Sequence, residues 1–198
     1  MGWNAARMNR IGLFGGSFDP VHWGHLLVAR AACEEQGLER IIFIPAAQSP
    51  FKPDSAPAPA GERLRLLRLA LAGQSHYAID TQELDRGGMS YTIDTVRWHV
   101  GREDGVEFYY LIGADHVPQL PRWREAVLLA ELVTFLVIPR PGQPPASLPA
   151  PFRLRHLQGY PLSLSSSQVR ARIRNGQPID HLTPGPVAEA VRNNRLYL

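Results

Sequence analysis

Two histidines lie in a short segment near the start of the chain, residues 15–25, which read GGSFDPVHWGH. An apolar run ends at Gly15, and an apolar helical pattern begins at Leu26, so we expect a tight loop and then the first turn of a helix. The free N–H groups at a helix start favour anions. His22 and His25 are three residues apart and share one face of that helix. The segment therefore predicts a phosphate site at which two imidazoles take part in chemistry.

A second group of polar residues reads SSSQVR, from Ser165 to Arg170. Ser165 or Ser166 is in position to cap a helix, and Gln168 occupies the reciprocal position three residues after Ser165. Arg170 and Arg174 then lie one turn apart and present two guanidiniums on one face. The segment predicts a capped, basic helix, in which Arg174 alone is typical of a solvated surface.

An alternating pattern of strands and helices must position these segments. Apolar strands are predicted at 11–14, 41–44, 77–80, 108–112, 133–138 and, as an edge strand, 153–157. Helices are predicted at 24–36, 61–72, 91–100, 124–132, 166–174 and 186–193. The helix over 61–72 is expected to turn its arginines toward solvent. Non-alternating apolar strands separated by helices predict an α/β fold, a Rossmann-like doubly wound parallel sheet with helices on both faces and C-terminal helices.

Ligands of such folds bind at the carboxyl ends of the strands. Four segments follow predicted strands, namely 15–25, 45–53, 113–115 and 139–142. We expect them to meet at one edge of the sheet and to form one site. The pattern predicts a single domain over 10–198, and it leaves open whether the N-terminal extension 1–9 is ordered.

The composition limits the partners and the compartment. A net charge of +3 without a block of basic residues suits small anions and predicts no nucleic-acid partner. No apolar run is long enough to span a membrane. The single cysteine, Cys33, and a polar start without an apolar leader predict a cytoplasmic protein. The sequence leaves a homo-oligomer open.

The histidine segment resembles the Gly-x-Phe-Asp-Pro-x-His-x-Gly-His signature of the nucleotidylyltransferase superfamily. The SSSQVR segment is similar to its Ser-Ser-Thr/Ser-x-x-Arg motif. The resemblance implies that His22 and His25 contact the phosphates of a nucleoside triphosphate and stabilise the transition state, and that Arg170 binds the leaving pyrophosphate. The ATP-binding residues that it implies on these motifs are Gly15, Gly16, Ser17, Phe18, Gly24, Ser166 and Ser167.

Further segments are similar to bacterial nicotinate-mononucleotide adenylyltransferases. Residues 45–53 read PAAQSPFKP, and Lys52, the only lysine of the chain, falls on the lysine of the family's Pro-Asn-x-x-Pro-Pro-His-Lys segment. Ala46 and Phe51 stand where that segment has its asparagine and histidine. The Ser-Tyr-Thr and Pro-x-Trp segments imply that Tyr91, Thr92 and Trp123 bind the pyridine substrate. The remaining ATP-binding residues that the resemblance implies are Gly113, Asp115, Ile138 and Arg140.

The resemblance implies a transferase that joins ATP to nicotinate mononucleotide, giving deamido-NAD and pyrophosphate, with Mg²⁺ carried by the triphosphate. The His22 and His25 spacing could also suit zinc, but no cluster of ligands completes such a site, so no protein metal site is predicted. Three alternatives stay open. They are an enzyme that prefers nicotinamide mononucleotide, a phosphopantetheine adenylyltransferase, and a non-catalytic nucleotide-sensing module.

Overall fold

Six parallel strands form one sheet in the computed structural model, which describes residues 9–50, 57–160 and 162–198. The strands are β1 (Asn9–Gly16), β2 (Arg40–Pro45), β3 (Tyr77–Ile79), β4 (Val106–Gly113), β5 (Thr134–Ile138) and β6 (Leu154–His156). Their order in the sheet is β3-β2-β1-β4-β5-β6. The chain moves outward from β1 to one edge and then from β4 to the other. This arrangement confirms the predicted doubly wound sheet.

Helices connect the strands and cover the sheet. They are α1 (Trp23–Gln36), α2 (Ala60–Leu71), α3 (Gln82–Arg86), α4 (Thr92–Val100), α5 (Ala126–Leu132), α6 (Ser166–Arg174) and α7 (Gly185–Asn193). The sequence did not predict α3, because five residues are too few to show a helical period. It also missed a 3₁₀ helix over Ala114–Arg122, which contains Pro118 and Pro121. None of the helices among the described residues has the length and the apolar character needed to cross a membrane.

The strands are apolar on both faces because helices cover both sides of the sheet. Leu13 belongs to one buried cluster and its neighbour Phe14 to the other, on the opposite face of β1. Side chains of this size each contribute about 1.5–3 kcal/mol when they leave water. Burial of this kind explains why the strands show no alternation of polar and apolar residues.

The prediction that the arginines of α2 face solvent is wrong for Arg63, which is 1% exposed. Its Nε donates to the carbonyl of Ala58 at 3.0 Å, and its Nη1 donates to the carbonyl of Ser17 at 2.7 Å. A buried charge requires such partners. The helical period placed Arg63 on a polar face, but the loop after β1 covers that face.

The carboxyl ends of the central strands lie side by side. Gly16 pairs with Pro45 at the ends of β1 and β2, and Gly113 pairs with Ile138 at the ends of β4 and β5. The loops that follow these strands therefore start at one edge. Helix α6 reaches the same edge, where the hydroxyl of Ser166 donates to the carbonyl of Pro20 at 2.9 Å.

Candidate active site

A large cleft opens at the carboxyl edge of the sheet and holds about 1620 Å³ of space, including the solvent at its mouth. It lies where the sequence predicts the site. Its walls include the following residues that the sequence singled out: Gly15, Gly16, Ser17, His22, Gly24, His25, Thr92, Gly113, Trp123, Ile138, Arg140, Ser166, Ser167 and Arg170. The loop after β1, the ends of β4 and β5, and the first turns of α4 and α6 thus contribute to one cavity.

The two predicted histidines are stacked on each other in this cleft. Their ring centroids are 3.8 Å apart, and the rings are inclined by 30°. The backbone N–H of His22 donates to Nδ1 of His25 at 3.2 Å. Because Nδ1 accepts this bond, the proton of a neutral His25 is on Nε2. The fold thereby selects one tautomer and makes Nε2 a hydrogen-bond donor.

Both histidines are neutral in the free protein at pH 7. Burial and, to a smaller extent, the positive charge of Arg140 lower the pKa of His22 to about 4. The pKa of His25 is well below its usual value, first because of burial and then because of His22 and Arg140. Two stacked imidazolium ions beside a guanidinium would repel one another. The site therefore offers N–H dipoles, with Arg140 as the nearby fixed charge.

Two glycines give space to their neighbours in the segment over residues 15–25, which we call the phosphate loop after the site that the sequence predicts there. A Cβ atom on Gly15 would overlap the hydroxyl of Tyr110. A Cβ atom on Gly24 would come within 3.0 Å of the His22 ring. Glycine at 24 thus lets the His22 ring pack against the helix start.

Phe18, which the sequence grouped with the ATP-binding residues, does not line the cleft. Its ring is 1% exposed and meets the ring of His25 edge-on, with centroids 5.0 Å apart. It also packs against Phe14 and Phe43. Phe18 therefore supports the histidine from below, and its side chain does not face the site.

Arg140, which lines the cleft, forms an ion pair with Asp115 at the ends of β4 and β5. Nε of Arg140 lies 3.4 Å from Oδ1 of Asp115, and Nε2 of His116 lies 3.6 Å from Oδ2. Side chains of both members of the Arg140–Asp115 pair are more than two-fifths exposed, so the pair contributes little to stability. Its position at the mouth leaves both groups accessible to a ligand.

Helix α6 begins with the predicted cap. The hydroxyl of Ser165 accepts a bond from the N–H of Gln168 at 3.3 Å, and the Gln168 side chain accepts one from the N–H of Ser165 at 2.8 Å. This reciprocal pair fixes the direction of the first turn. Arg170 follows within that helix, and its Nη1 donates to the backbone carbonyl of Asp19 at 2.6 Å. The phosphate loop and α6 are thus joined at the cleft.

A side pocket of about 780 Å³ adjoins the cleft and contains three of the residues predicted to bind the pyridine substrate, Tyr91, Thr92 and Trp123. Trp123 stands perpendicular to the ring of Tyr110, with centroids 6.5 Å apart. The guanidinium of Arg124 lies over the ring of Tyr91 at 4.7 Å. The pocket combines aromatic surface with positive charge, which suits a flat anionic ring.

The predicted substrate residue Lys52 lies outside the described residues, as does Phe51. The residues just before them, 47 and 48, are hydrogen-bonded to Ser90 in the loop that precedes α4. The N–H of Ala47 donates to the hydroxyl of Ser90 at 3.0 Å, and the N–H of Ser90 donates to the carbonyl of Gln48 at 2.9 Å. These bonds hold one wall of the cleft against the side pocket.

Sequence reasoning missed three buried polar residues, namely Glu83 and Tyr110, which line the cleft, and Asp19, which is bonded to the cleft residue Arg170. Glu83 is 3% exposed, and its carboxylate accepts a bond from the hydroxyl of Thr95 at 2.5 Å. Burial raises the pKa of Glu83 and also the pKa of Tyr110. Only Asp19 had a signal in the sequence, since it lies between the glycines and the histidines. Glu83 and Tyr110 carry no local pattern that marks them.

Comparisons with known proteins agree with this geometry. The cytidylyltransferase-like family matches residues 13–172. A probable nicotinate-nucleotide adenylyltransferase of Geobacillus kaustophilus is 42% identical over 190 residues, which cover 96% of this chain and 87% of that protein. One of Opitutus terrae is 39% identical, over 95% of this chain and 97% of that protein.

The fold is also found in solved structures. Nicotinic acid mononucleotide adenylyltransferase of Plasmodium falciparum, complexed with NaAD, is similar with a TM-score of 0.75 and 18% identity, over 96% of this chain and 97% of that one. At that identity the likeness shows the fold alone. The family is shown by the curated relatives. Their sequences are about two-fifths identical to this one, and the alignments cover nearly the whole chain. The chain belongs to the nicotinate-nucleotide adenylyltransferase family, among the cytidylyltransferase-like proteins.

Proposed function

We propose that the protein transfers the adenylyl group of ATP to nicotinate mononucleotide, giving deamido-NAD and pyrophosphate. The observation that carries this proposal is the cleft itself. One cavity joins a stacked histidine pair and two arginines to an aromatic, basic side pocket. Relatives of nearly full length that are named probable nicotinate-nucleotide adenylyltransferases support the choice of substrates.

The reaction needs alignment and charge neutralisation. An oxygen of the mononucleotide phosphate attacks the α-phosphorus of ATP, and the bond from that phosphorus to the bridging oxygen of the pyrophosphate breaks. The second pKa of a phosphate monoester is about 6, so the nucleophile is already dianionic at neutral pH. No general base is required. The protein has to hold two anions that repel each other and to stabilise the charge of the transition state.

The histidine pair suits this role. His22 and His25 would donate N–H bonds to oxygens of the α-phosphate as negative charge develops on them. Because the pair is neutral and buried, these donors are fixed before the reaction begins. Arg140 lies close enough to lower both pKa values, and it would add a positive charge at the same phosphates.

The remaining ATP contacts would come from the glycine loop and from α6. Gly15, Gly16 and Ser17 would bind the triphosphate through the backbone, and the free N–H groups at the start of α6, from Ser166 and Ser167, would face the leaving pyrophosphate with Arg170. Gly113, Asp115 and Ile138 lie at or beside the cleft at the ends of β4 and β5, where we propose that they contact the nucleoside.

The side pocket would bind the pyridine ring. Trp123 offers an indole face, and the first N–H groups of α4 near Tyr91 and Thr92 would donate hydrogen bonds to the carboxylate of the nicotinate. A helix N-terminus favours a negative charge, and the amide of nicotinamide carries none. Selection of the acid over the amide would follow from this difference.

Mg²⁺ would enter with ATP and neutralise part of the triphosphate charge. The described residues contain no group of three or more His, Cys, Asp or Glu side chains that could hold a metal ion. Most of the polar side chains that line the cleft carry hydroxyl, imidazole or guanidinium groups, which fit an anion that brings its own cation.

Pyrophosphate release from ATP tests the proposal. Purified protein is incubated with ATP, Mg²⁺ and one acceptor at a time, either nicotinate mononucleotide, nicotinamide mononucleotide or phosphopantetheine. We expect release with nicotinate mononucleotide to exceed the other two clearly, and product mass to match deamido-NAD. The double variant His22→Ala and His25→Ala serves as the inactive control. If release is fastest with another acceptor, the proposed substrate is wrong. If no acceptor gives release, the result favours a nucleotide sensor.

A further inference from the structure

Asp19 is a buried acid between two arginines from different helices. It is 6% exposed and lies in the phosphate loop, two residues after Ser17. Nη1 of Arg170, from α6, lies 3.5 Å from Oδ2 of Asp19 and also donates to its backbone carbonyl at 2.6 Å. The N–H of Ala58 donates to Oδ1 at 3.2 Å. The carboxylate therefore meets donors on both of its oxygens.

Arg63, from α2, balances the charge of this acid from below. Its guanidinium interacts electrostatically with Asp19, and its N–H groups bind the carbonyls of Ser17 and Ala58. The hydroxyl of Tyr197 faces the same acid, and burial together with Asp19 raises the pKa of that hydroxyl. Buried charges persist in proteins when they are paired and hydrogen-bonded in this way. The cluster joins the phosphate loop, α2, α6 and the end of the chain.

The cluster determines where the guanidinium of Arg170 can be. The side chain of Arg170 is 25% exposed, and its Nη2 lies 3.3 Å from the hydroxyl of Ser167. One end of the guanidinium is thus held by Asp19, while the residue lines the cleft. An arginine that is already held loses less side-chain freedom when an anion binds.

We propose that Asp19 is a positioning residue for Arg170, and that Arg63 keeps the buried carboxylate in place by balancing its charge. Asp19 itself does not touch the substrate. Its carboxylate and carbonyl fix the guanidinium so that the remaining N–H groups face the phosphates. This inference rests on the proposed role of Arg170 in binding pyrophosphate.

Binding of inorganic pyrophosphate, measured by calorimetry without an acceptor, tests the inference. The Asp19→Asn variant keeps the shape of the side chain and removes its charge. We expect its Kd for pyrophosphate to rise about tenfold, which corresponds to one charge-assisted contact of about 1.4 kcal/mol. Its affinity for nicotinate mononucleotide should be unchanged. The matched control is Asp180→Asn, since exposed Asp180 pairs with Arg192 at 2.6 Å and does not line the cleft.

A double-mutant cycle separates positioning from general loss of structure. In the Arg170→Ala background, Asp19→Asn should change the Kd for pyrophosphate less than twofold, because the residue that it positions is absent. A full tenfold effect in that background would overturn the inference. If Arg170→Ala by itself leaves the affinity for pyrophosphate unchanged, the proposed role of Arg170 in binding pyrophosphate is wrong, and so is the inference that rests on it. If only Asp19→Asn has no effect, the positioning role alone is wrong.

Arg170→Lys provides a second variant if Asp19→Asn does not fold. Lysine keeps the charge, but a single ammonium cannot bind Asp19 and present a planar fork to the anion at once. We expect a rise in the Kd for pyrophosphate of at least fivefold, on the order of one lost charged hydrogen bond. A lysine variant that binds pyrophosphate as tightly as the arginine protein would overturn the inference, because a freely placed charge would then suffice.

Discussion

At the scale of single residues, the proposed chemistry depends on two histidines that stay neutral. Burial holds the pKa of His22 near 4 and the pKa of His25 well below its usual value. The ring of His25 is held by Phe18 beneath it, by His22 beside it and by a backbone N–H on Nδ1. In the proposed reaction, a donor fixed in this way would lose no energy to reorganisation when charge develops on the α-phosphate.

Replacement of His25 by alanine should lower kcat by about 10²–10³-fold, the usual cost of losing one preorganised donor to a transition state. The KM for ATP should change little, since Arg170 and the helix starts still bind the phosphates. Steady-state kinetics of pyrophosphate release measure both constants. The control is His76→Ala. His76 is exposed and lies just before β3, at the amino end of that strand, and it does not line the cleft. Near-normal turnover of His25→Ala would refute the role.

At the scale of elements, α6 is placed by its cap and by its contacts with the phosphate loop. The Ser165 and Gln168 pair satisfies N–H groups that the first turn would otherwise leave unpaired. The hydroxyl of Ser166 and the guanidinium of Arg170 then bond to Pro20 and Asp19 in the loop after β1. The orientation of the helix and the position of the arginine therefore depend on each other.

The Ser165→Ala variant should reduce the free energy of unfolding by about 1 kcal/mol, the typical cost of losing an N-cap. It should also raise the KM for ATP, because the first turn of α6 would fray at the cleft. Urea unfolding and kinetics give the two values. Ser163→Ala, at an exposed position just before the cap, should leave both unchanged. If Ser165→Ala and Ser163→Ala have the same free energy of unfolding and the same KM for ATP, the cap does not order the helix.

At the scale of the whole molecule, the parallel sheet brings together groups that are far apart in the chain. Gly16 and Gly113 end the neighbouring strands β1 and β4. Gly16 lies beside the end of β2, and Gly113 lies beside the end of β5. This arrangement also removes several ionisable groups from water. Histidines that are buried without charge make the folded state sensitive to acid.

Stability should therefore fall as the pH drops below about 6.5, the pKa of histidine in the unfolded chain. His22 takes up a proton in the unfolded state at that pH, but in the folded state only near its pKa of about 4. Between these values the free energy of unfolding should fall by up to about 1.4 kcal/mol per pH unit from His22 alone. Urea unfolding from pH 7.5 to 4.5 measures the slope. His22→Asn should show a shallower slope, and equal slopes would contradict the assignment.

The fold was largely predictable because strand and helix periods are local signals. All of the predicted strands and all of the predicted helices are present, and Gly37 ends α1 with a left-handed backbone. The short α3 and the 3₁₀ helix were not predicted, because neither is long enough or regular enough to show a period. Within the candidate site, the cleft unites the glycine loop, the histidine pair and α6, whose motifs are short and contiguous.

The sequence by itself determined the class of chemistry, since the histidine loop and the SSSQVR segment each place their groups within a few residues. Only the tertiary structure decided which side chains support them. Arg63 is buried against the phosphate loop, Phe18 packs against His25, and Asp19 pairs with Arg170 of α6. Those contacts join residues up to 151 positions apart in the chain. A local pattern cannot indicate them, because burial and pairing depend on how whole elements pack.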